Sequence, residues 1–411
     1  MCIRDSSGGT LKLSGGDATL EGVAGSGRIA GCGHVFVPIV FDGPVTLQSE
    51  PAAGCSALEI ELFSLQLPLE GQVRAIDGDI VINDAGVSSI GIVEVAGPNV
   101  LTVSVGIAML PSGHLVLDGT SGTPRVSTGS VDAAACTVSV SGTGVIDARL
   151  FTDYTWFHIE EKGRLELWGD TTWSDESHVF GSDLAQIGDS EVVGYTFMDV
   201  ETLDLDGYGS TTTSVRPGTL LEVYAARAWD EGDPGFGGAL LIDGGTVKMD
   251  LDEGAFAVVG GSVTLQDNAA FLATFWGDMS LESATLAGHG VVLGDLVSAG
   301  TIIPAGASGN AVGTLNVNEG DYTQLETGEL QIQIASSGAD RLLVQGGNAT
   351  LDGTLVLTFA GGPSLVPGTT YTVLQADKVY GTFSQVLVPL GYGFAITYLS
   401  DRVLVAVTDA P

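Results

Sequence analysis

LESATLAGHGVVLGDLVSAGTIIPAGASGNAVGTLNVNEGDYTQLETGELQIQIASSGADRLLVQGGNATLDGTLVL, residues Leu281 to Leu357, is the stretch that decides the fold. Its apolar runs are short: Thr285-Leu286, Val291-Val292-Leu293, Leu296-Val297, Thr301-Ile302-Ile303, Leu315-Asn316-Val317. Glycines and small polar residues separate them, and none is long enough for a helix. In Glu329-Leu330-Gln331-Ile332-Gln333-Ile334 the apolar residues alternate, so Leu330, Ile332 and Ile334 share one face. A period of two means strand. Strands this short cannot bury a face alone. A run of similar glycine-punctuated units therefore predicts a coil in which each turn packs on the next.

Several segments carry a resemblance. They are Ala299-Gly-Thr-Ile-Ile-Pro304, Gly313-Thr-Leu-Asn-Val317, Gly320-Asp-Tyr-Thr-Gln324, Asp340-Arg-Leu-Leu-Val344, Ala349-Thr-Leu-Asp-Gly-Thr-Leu355, Tyr371-Thr-Val-Leu374 and Gly381-Thr-Phe383. Together, over residues 281–408, they resemble the C-terminal part of bacterial autotransporter passenger domains and related surface proteins with autotransporter-associated β-strand repeats. The resemblance implies an all-β chain: a single-stranded, right-handed parallel β-helix of the pectin-lyase-like kind, with a C-terminal β cap. It also implies an adhesin-type role outside the cell, on a bacterial surface or secreted. The sequence departs from the family pattern after Pro304, where Ala305-Gly306-Ala307-Ser308 stands in place of Pro-Gly next to Ser.

The bulk properties suit stacked strands. Of 411 residues, 60 are glycine, 44% are hydrophobic, 7% aromatic and only 16% charged, which is too apolar for a disordered chain. The net charge is −36, from 50 acidic against 14 basic residues. Such a charge repels nucleic acid and anionic membrane surfaces, so neither is expected as a partner. It adapts the surface to solvent or gathers divalent cations, and non-specific Ca2+ binding is the only cofactor chemistry expected. Apolar runs are far too short for a membrane span.

The cysteines are Cys2, Cys32, Cys55 and Cys136, with no C-x-x-C pair to suggest zinc or redox chemistry. Cys32 and Cys55 lie about one coil turn apart. They form a disulfide across adjacent turns in an oxidising compartment, or stay as buried thiols. Met1-Cys-Ile-Arg-Asp-Ser6 has no apolar stretch behind it, so residues 1–6 read as a non-native start on a fragment.

Residues 7–320 read as solenoid, with an aromatic-rich, loop-rich section at 151–235, and residues 321–411 as last turns and a capping region. Phe394-Ala-Ile-Thr-Tyr398 and Val403-Leu-Val-Ala-Val407 predict a closing hairpin, because an open end would template aggregation. Gly25-Ser-Gly-Arg-Ile-Ala30 matches a dinucleotide fingerprint only loosely, since Gly31-Cys-Gly33 follows where a helix must begin. Asp77-Gly-Asp79 and Asn83-Asp84 form an acidic loop without EF-hand spacing.

The candidate site lies at residues 154–176. Phe151, Tyr154, Trp156, Phe157, Trp168 and Trp173 crowd a short interval. In Arg164-Leu-Glu-Leu-Trp168 the leucines share one face, so Trp168 points the other way. Trp156, Trp168 and Trp173 beside Asp170, Asp175 and Glu176 have the composition of a glycan surface. Flat rings cover the apolar face of a pyranose, and carboxylates accept its hydroxyl protons. The alternative is that the rings cover the coil's own side. Asp204 with Asp206, and Asp250 with Asp252, stand two apart on strands and fit a metal or acid pair, or a solvated face.

No catalytic residue or metal ligand is assigned. The five histidines are dispersed, and HExxH, GxSxG and GxxxxGK[ST] are absent. The expected role is structural or adhesive display toward glycans or a host or neighbouring cell surface. The alternative is a carbohydrate-active or glycan-binding β-helix. An enzyme on this scaffold would be a polysaccharide hydrolase or lyase, and scarce Lys and Arg work against a lyase on uronates.

Overall fold

A computed structural model describes the chain apart from residues 1, 4–9, 21–26, 38–44, 51–54, 63–64, 84–86, 175, 205–211, 228–235, 252–254, 267–271, 305–311, 360–364 and 411. All the regular structure among the described residues is β, and nearly all of it is paired in parallel. The chain is a parallel β-solenoid of stacked coils. Two compact units are distinguished, Met1–Gly207 and Tyr208–Pro411.

In the first unit, equivalent inward positions stack rung upon rung. Ile29, Leu47, Val73, Val93, Leu115, Val138, Phe157, Val179 and Met198 are paired in register in that order. All are buried. A second ladder runs Leu58, Ile80, Leu101, Val126, Ile146, Leu167. The dinucleotide reading ends here, because Gly27–Val37 is a strand and no helix starts there.

Among the described residues of the second unit, such ladders include one on each of three faces of the coil. Leu240, Val263, Leu286, Ile302, Leu330 and Leu355 form one. Val247, Phe275, Val292, Val317 and Val344 form the next. Phe256, Met279, Leu296, Tyr322 and Ala349 form the third. Leu330, Ile332 and Ile334 are fully buried, as their alternation predicts. Burial of each side chain contributes about 1.5–3 kcal/mol, and repetition multiplies it.

Corners in this unit are built from Gly-Asp pairs. Asp278 Oδ1 accepts the backbone N–H of Asp295 at 2.8 Å, and Asp295 Oδ1 accepts that of Asp321 at 2.8 Å. Asp321 Oδ1 in turn accepts the N–H of Asn348 at 2.7 Å. Each carboxylate thus satisfies a donor that the corner removes from the strand ladder. The glycine before each Asp gives the turns room to approach. A Cβ on Gly320 would stand 2.1 Å from the Gly294 carbonyl oxygen, and one on Gly347 1.9 Å from that of Gly320.

Asp340 is a different carboxylate, fully buried. Its oxygens accept the backbone N–H groups of Gly313 at 2.8 Å and Gln333 at 2.9 Å. Burial outweighs these bonds and pushes its pKa up to about 6. Below about pH 3 the carboxyl is protonated in folded and unfolded chains alike, and its contribution to stability is fully present. As pH rises toward 6 the unfolded chain ionises first, so stability falls. Comparing denaturant midpoints of wild type and Asp340→Asn at pH 4 and pH 6.5 is expected to show wild type losing about 2 kcal/mol relative to the variant. A constant gap would contradict this.

The C-terminal cap is the predicted hairpin. Gly393–Tyr398 pairs antiparallel with Arg402–Asp409, which also pairs antiparallel with Thr370–Gln375. In the first unit Cys32 and Cys55 are joined by a disulfide with Cα atoms 5.8 Å apart, a normal span for the bond. The link closes a loop of sequence separation 23 and contributes about 3 kcal/mol by restricting the unfolded chain. Cys136 is free and buried, and desolvation pushes its thiol up to about 11, which leaves it unreactive.

Candidate functional site

The aromatic section lies on the first unit. Strand Trp156–Leu167 alternates strictly at its start: Phe157 and Ile159 are buried, Trp156 and His158 exposed. Trp156 is in register with His178 on the next rung, and His178 with Phe197 on the one after. All three therefore project from the same outer face. Just before this face, Ala135, Tyr154 and Glu176 each stand two residues ahead of Thr137, Trp156 and His178. All three have left-handed backbones, with φ of 49°, 49° and 51°. The same corner is thus repeated on three rungs, and it delivers Tyr154 and Glu176 beside the ring ladder.

The rings form a slab. Trp156 and His178 stack at 4.5 Å and 15°. Phe180 lies parallel to both, 5.6 Å from Trp156 and 5.9 Å from His178. Phe197 tilts against His178 and Phe180, and Tyr195 meets His178 edge-on. Trp156 remains 52% exposed. Cross-strand aromatic pairs of this kind contribute about 0.5–1.5 kcal/mol each, so the slab also stabilises the sheet.

Trp168 points outward, as the parity of Leu165 and Leu167 predicts, and is 40% exposed. Its indole N–H donates to Glu166 Oε2 at 2.9 Å, and the Arg125 guanidinium lies over its ring at 4.5 Å. Arg125 also pairs with Asp147. That ring face is already occupied by a cation within the chain. Exposed Asp170 follows at the next corner.

The sequence-derived set is thus divided. Trp156 and Glu176 share one face and corner. Trp168 and Asp170 belong to another, beyond the bend at Glu160–Gly163 where register shifts. Trp173 is in the core, 2% exposed, with its ring edge-on to Phe157 at 5.5 Å. Parity restarts after the corner at Gly169–Asp170, so Thr171 and Trp173 turn inward while Thr172 turns out. Asp175 lies outside the described residues, as do Asp206 and Asp252 and the side chains of Asp204 and Asp250. His178, Phe180 and Phe197 were not singled out by the sequence. Among the described residues no group of three or more His, Cys, Asp or Glu is placed to hold a metal ion.

Comparison with known proteins gives a likeness to several solved chains. Among them is the crystal structure of the Haemophilus influenzae Hap adhesin. The TM-score is 0.34 at 11% identity, over 97% of this chain and 59% of that one. The chain therefore spans about three fifths of the length of the Hap adhesin structure. No protein-family model and no curated protein sequence matches this chain.

Chemically, the slab offers an exposed indole, parallel ring edges, an imidazole and the carboxylate of Glu176 on one rim. Such a surface can cover the C–H face of a sugar ring and accept hydroxyl protons.

Proposed function

We propose that this chain is a structural, adhesin-type β-solenoid of a bacterial surface or secreted protein, and that its aromatic slab is where it touches a glycan-bearing surface. The observation that carries this reading is the register of Trp156, His178 and Phe197 on one outer face, with Trp156 left 52% exposed. Aromatic rings on a solvated face are otherwise costly to leave uncovered. The coil supplies a rigid spacing of rungs, and contact with a repeating glycan needs no covalent chemistry. The display location follows from the resemblance of residues 281–408 and is part of the proposal.

The full chain should be tested on an array of neutral and acidic oligosaccharides. Trp156→Ala is expected to weaken binding about tenfold, the size of one lost stacking contact, and to lower the thermal midpoint by a few degrees because its ring pairs with His178 and Phe180 are lost. Phe180→Ala is expected to weaken it less, because that ring is partly covered. Retention of full affinity in Trp156→Ala removes the slab from the reading. If the chain instead cleaves a polysaccharide, and cleavage is lost in Asp170→Ala, Asp175→Ala or Glu176→Ala, the display reading gives way to an enzyme.

A further inference from the structure

The second unit carries a concavity that the sequence does not signal. Lys248, Trp276, Leu293 and Asn318 are in register on successive rungs and point outward. Thr246–Leu251 runs on past this register to Leu251, whereas Thr274–Trp276 ends at Trp276 and turns at Gly277. The overhang leaves a groove of about 330 Å3 whose walls include Met249, Leu251, Trp276, Asp278 and Glu319. Gly277 and Gly294 also line it. A Cβ on Gly294 would lie 2.5 Å from the Gly277 carbonyl oxygen, so that position carries no side chain.

Trp276 is 53% exposed at the mouth of this groove. The Lys248 ammonium stands 5.7 Å from its ring centroid. Asp278 and Glu319 are both exposed. The lining therefore combines an aromatic ring, a cationic donor and two carboxylate acceptors. An anion meets the carboxylates and a net charge of −36. A cation meets Lys248 already over the ring. An uncharged polyhydroxylated ring meets neither penalty: its hydroxyls donate to Asp278 and Glu319, accept from Lys248, and its C–H face lies on the indole.

We propose that this groove binds a neutral hexopyranose unit. The site is independent of the slab on the first unit, since it shares no residue with it, and either can fail without the other.

The test uses the full chain, titrated by saturation-transfer NMR and calorimetry with glucose, galactose, N-acetylglucosamine and their β-linked disaccharides. Saturable binding to one of them is expected in a chain carrying Trp156→Ala, which removes the slab's exposed ring; it is weakened about tenfold or more by adding Trp276→Ala and several-fold by adding Glu319→Gln, and is unchanged by adding Tyr380→Ala at an exposed ring outside both sites. Lys248→Met is expected to weaken binding too, through loss of a donor. No saturable binding up to tens of millimolar, or binding that survives Trp276→Ala, overturns the proposal. Preferential binding of choline or a cationic peptide, strengthened by Lys248→Met, also overturns it, since that marks a cation site.

Discussion

Gly288→Ala is expected to destabilise the second unit by about 3–5 kcal/mol. Gly288 sits in strand Thr285–Leu293, where the chain passes from pairing with Ser262–Gln266 to pairing with Thr274–Trp276. The bend requires φ of +110°, a conformation that alanine rarely adopts. A Cβ there would also stand 1.8 Å from the Leu265 carbonyl oxygen, which is held in the rung below. Backbone cannot withdraw as a flexible side chain can, so both costs fall on the folded state. Gly260→Ala is the control: its φ is +73° but nothing lies within 4 Å of the new Cβ. That variant is expected to lose only about 1 kcal/mol. Denaturant midpoints of the full chain, with hydrogen exchange over Ser262–Gln266 and Thr285–Leu293, distinguish the two. Equal losses in both variants would mean that the close approach has no cost of its own.

Phe256→Ala is expected to cost about 4 kcal/mol. Phe256 is 1% exposed and lies between Phe236 and Phe275, with ring centroids 5.5 Å and 5.6 Å away. It also begins the ladder Phe256, Met279, Leu296, Tyr322. Truncation leaves a hole that rungs fixed by hydrogen bonds on both sides cannot close, and strands the two outer rings without a partner. Phe256→Leu retains most of the volume and is expected to lose about 1.5 kcal/mol, the usual ceiling for a volume-conserving core exchange. Exchange protection should fall first in Phe256–Val259 and Met279–Glu282. A loss under about 1 kcal/mol for the alanine variant would show that the coil collapses onto the gap.

The alternating runs were legible because strand parity needs only neighbours in sequence. Leu330, Ile332 and Ile334 could be placed inward without knowing what they pack against, and the capping hairpin could be placed on the same grounds. Trp173 shows where parity fails: a corner resets it, and the Gly169–Asp170 turn does not announce how many residues it consumes. The Gly-Asp corner recurs as Gly277-Asp278, Gly294-Asp295 and Gly320-Asp321 and was readable in principle. Unequal spacing hid it from a search for a fixed period. The ring slab was half visible. Trp156 stood out by type, but its contacts with His178 and Phe180 exist only once rung register is known. Trp276 was hidden for the same reason, since its groove depends on where a neighbouring strand ends.

The aspartate corners have a consequence for how such a chain tolerates change. Successive members are separated by 17, 26 and 27 residues, yet each carboxylate meets the next N–H at 2.7–2.8 Å. The corners act as fixed rivets, and the length of chain between them is free to vary. Extra segments grafted between rivets should therefore bulge sideways and leave the repeat undisturbed, which makes those intervals natural ports for acquired loops.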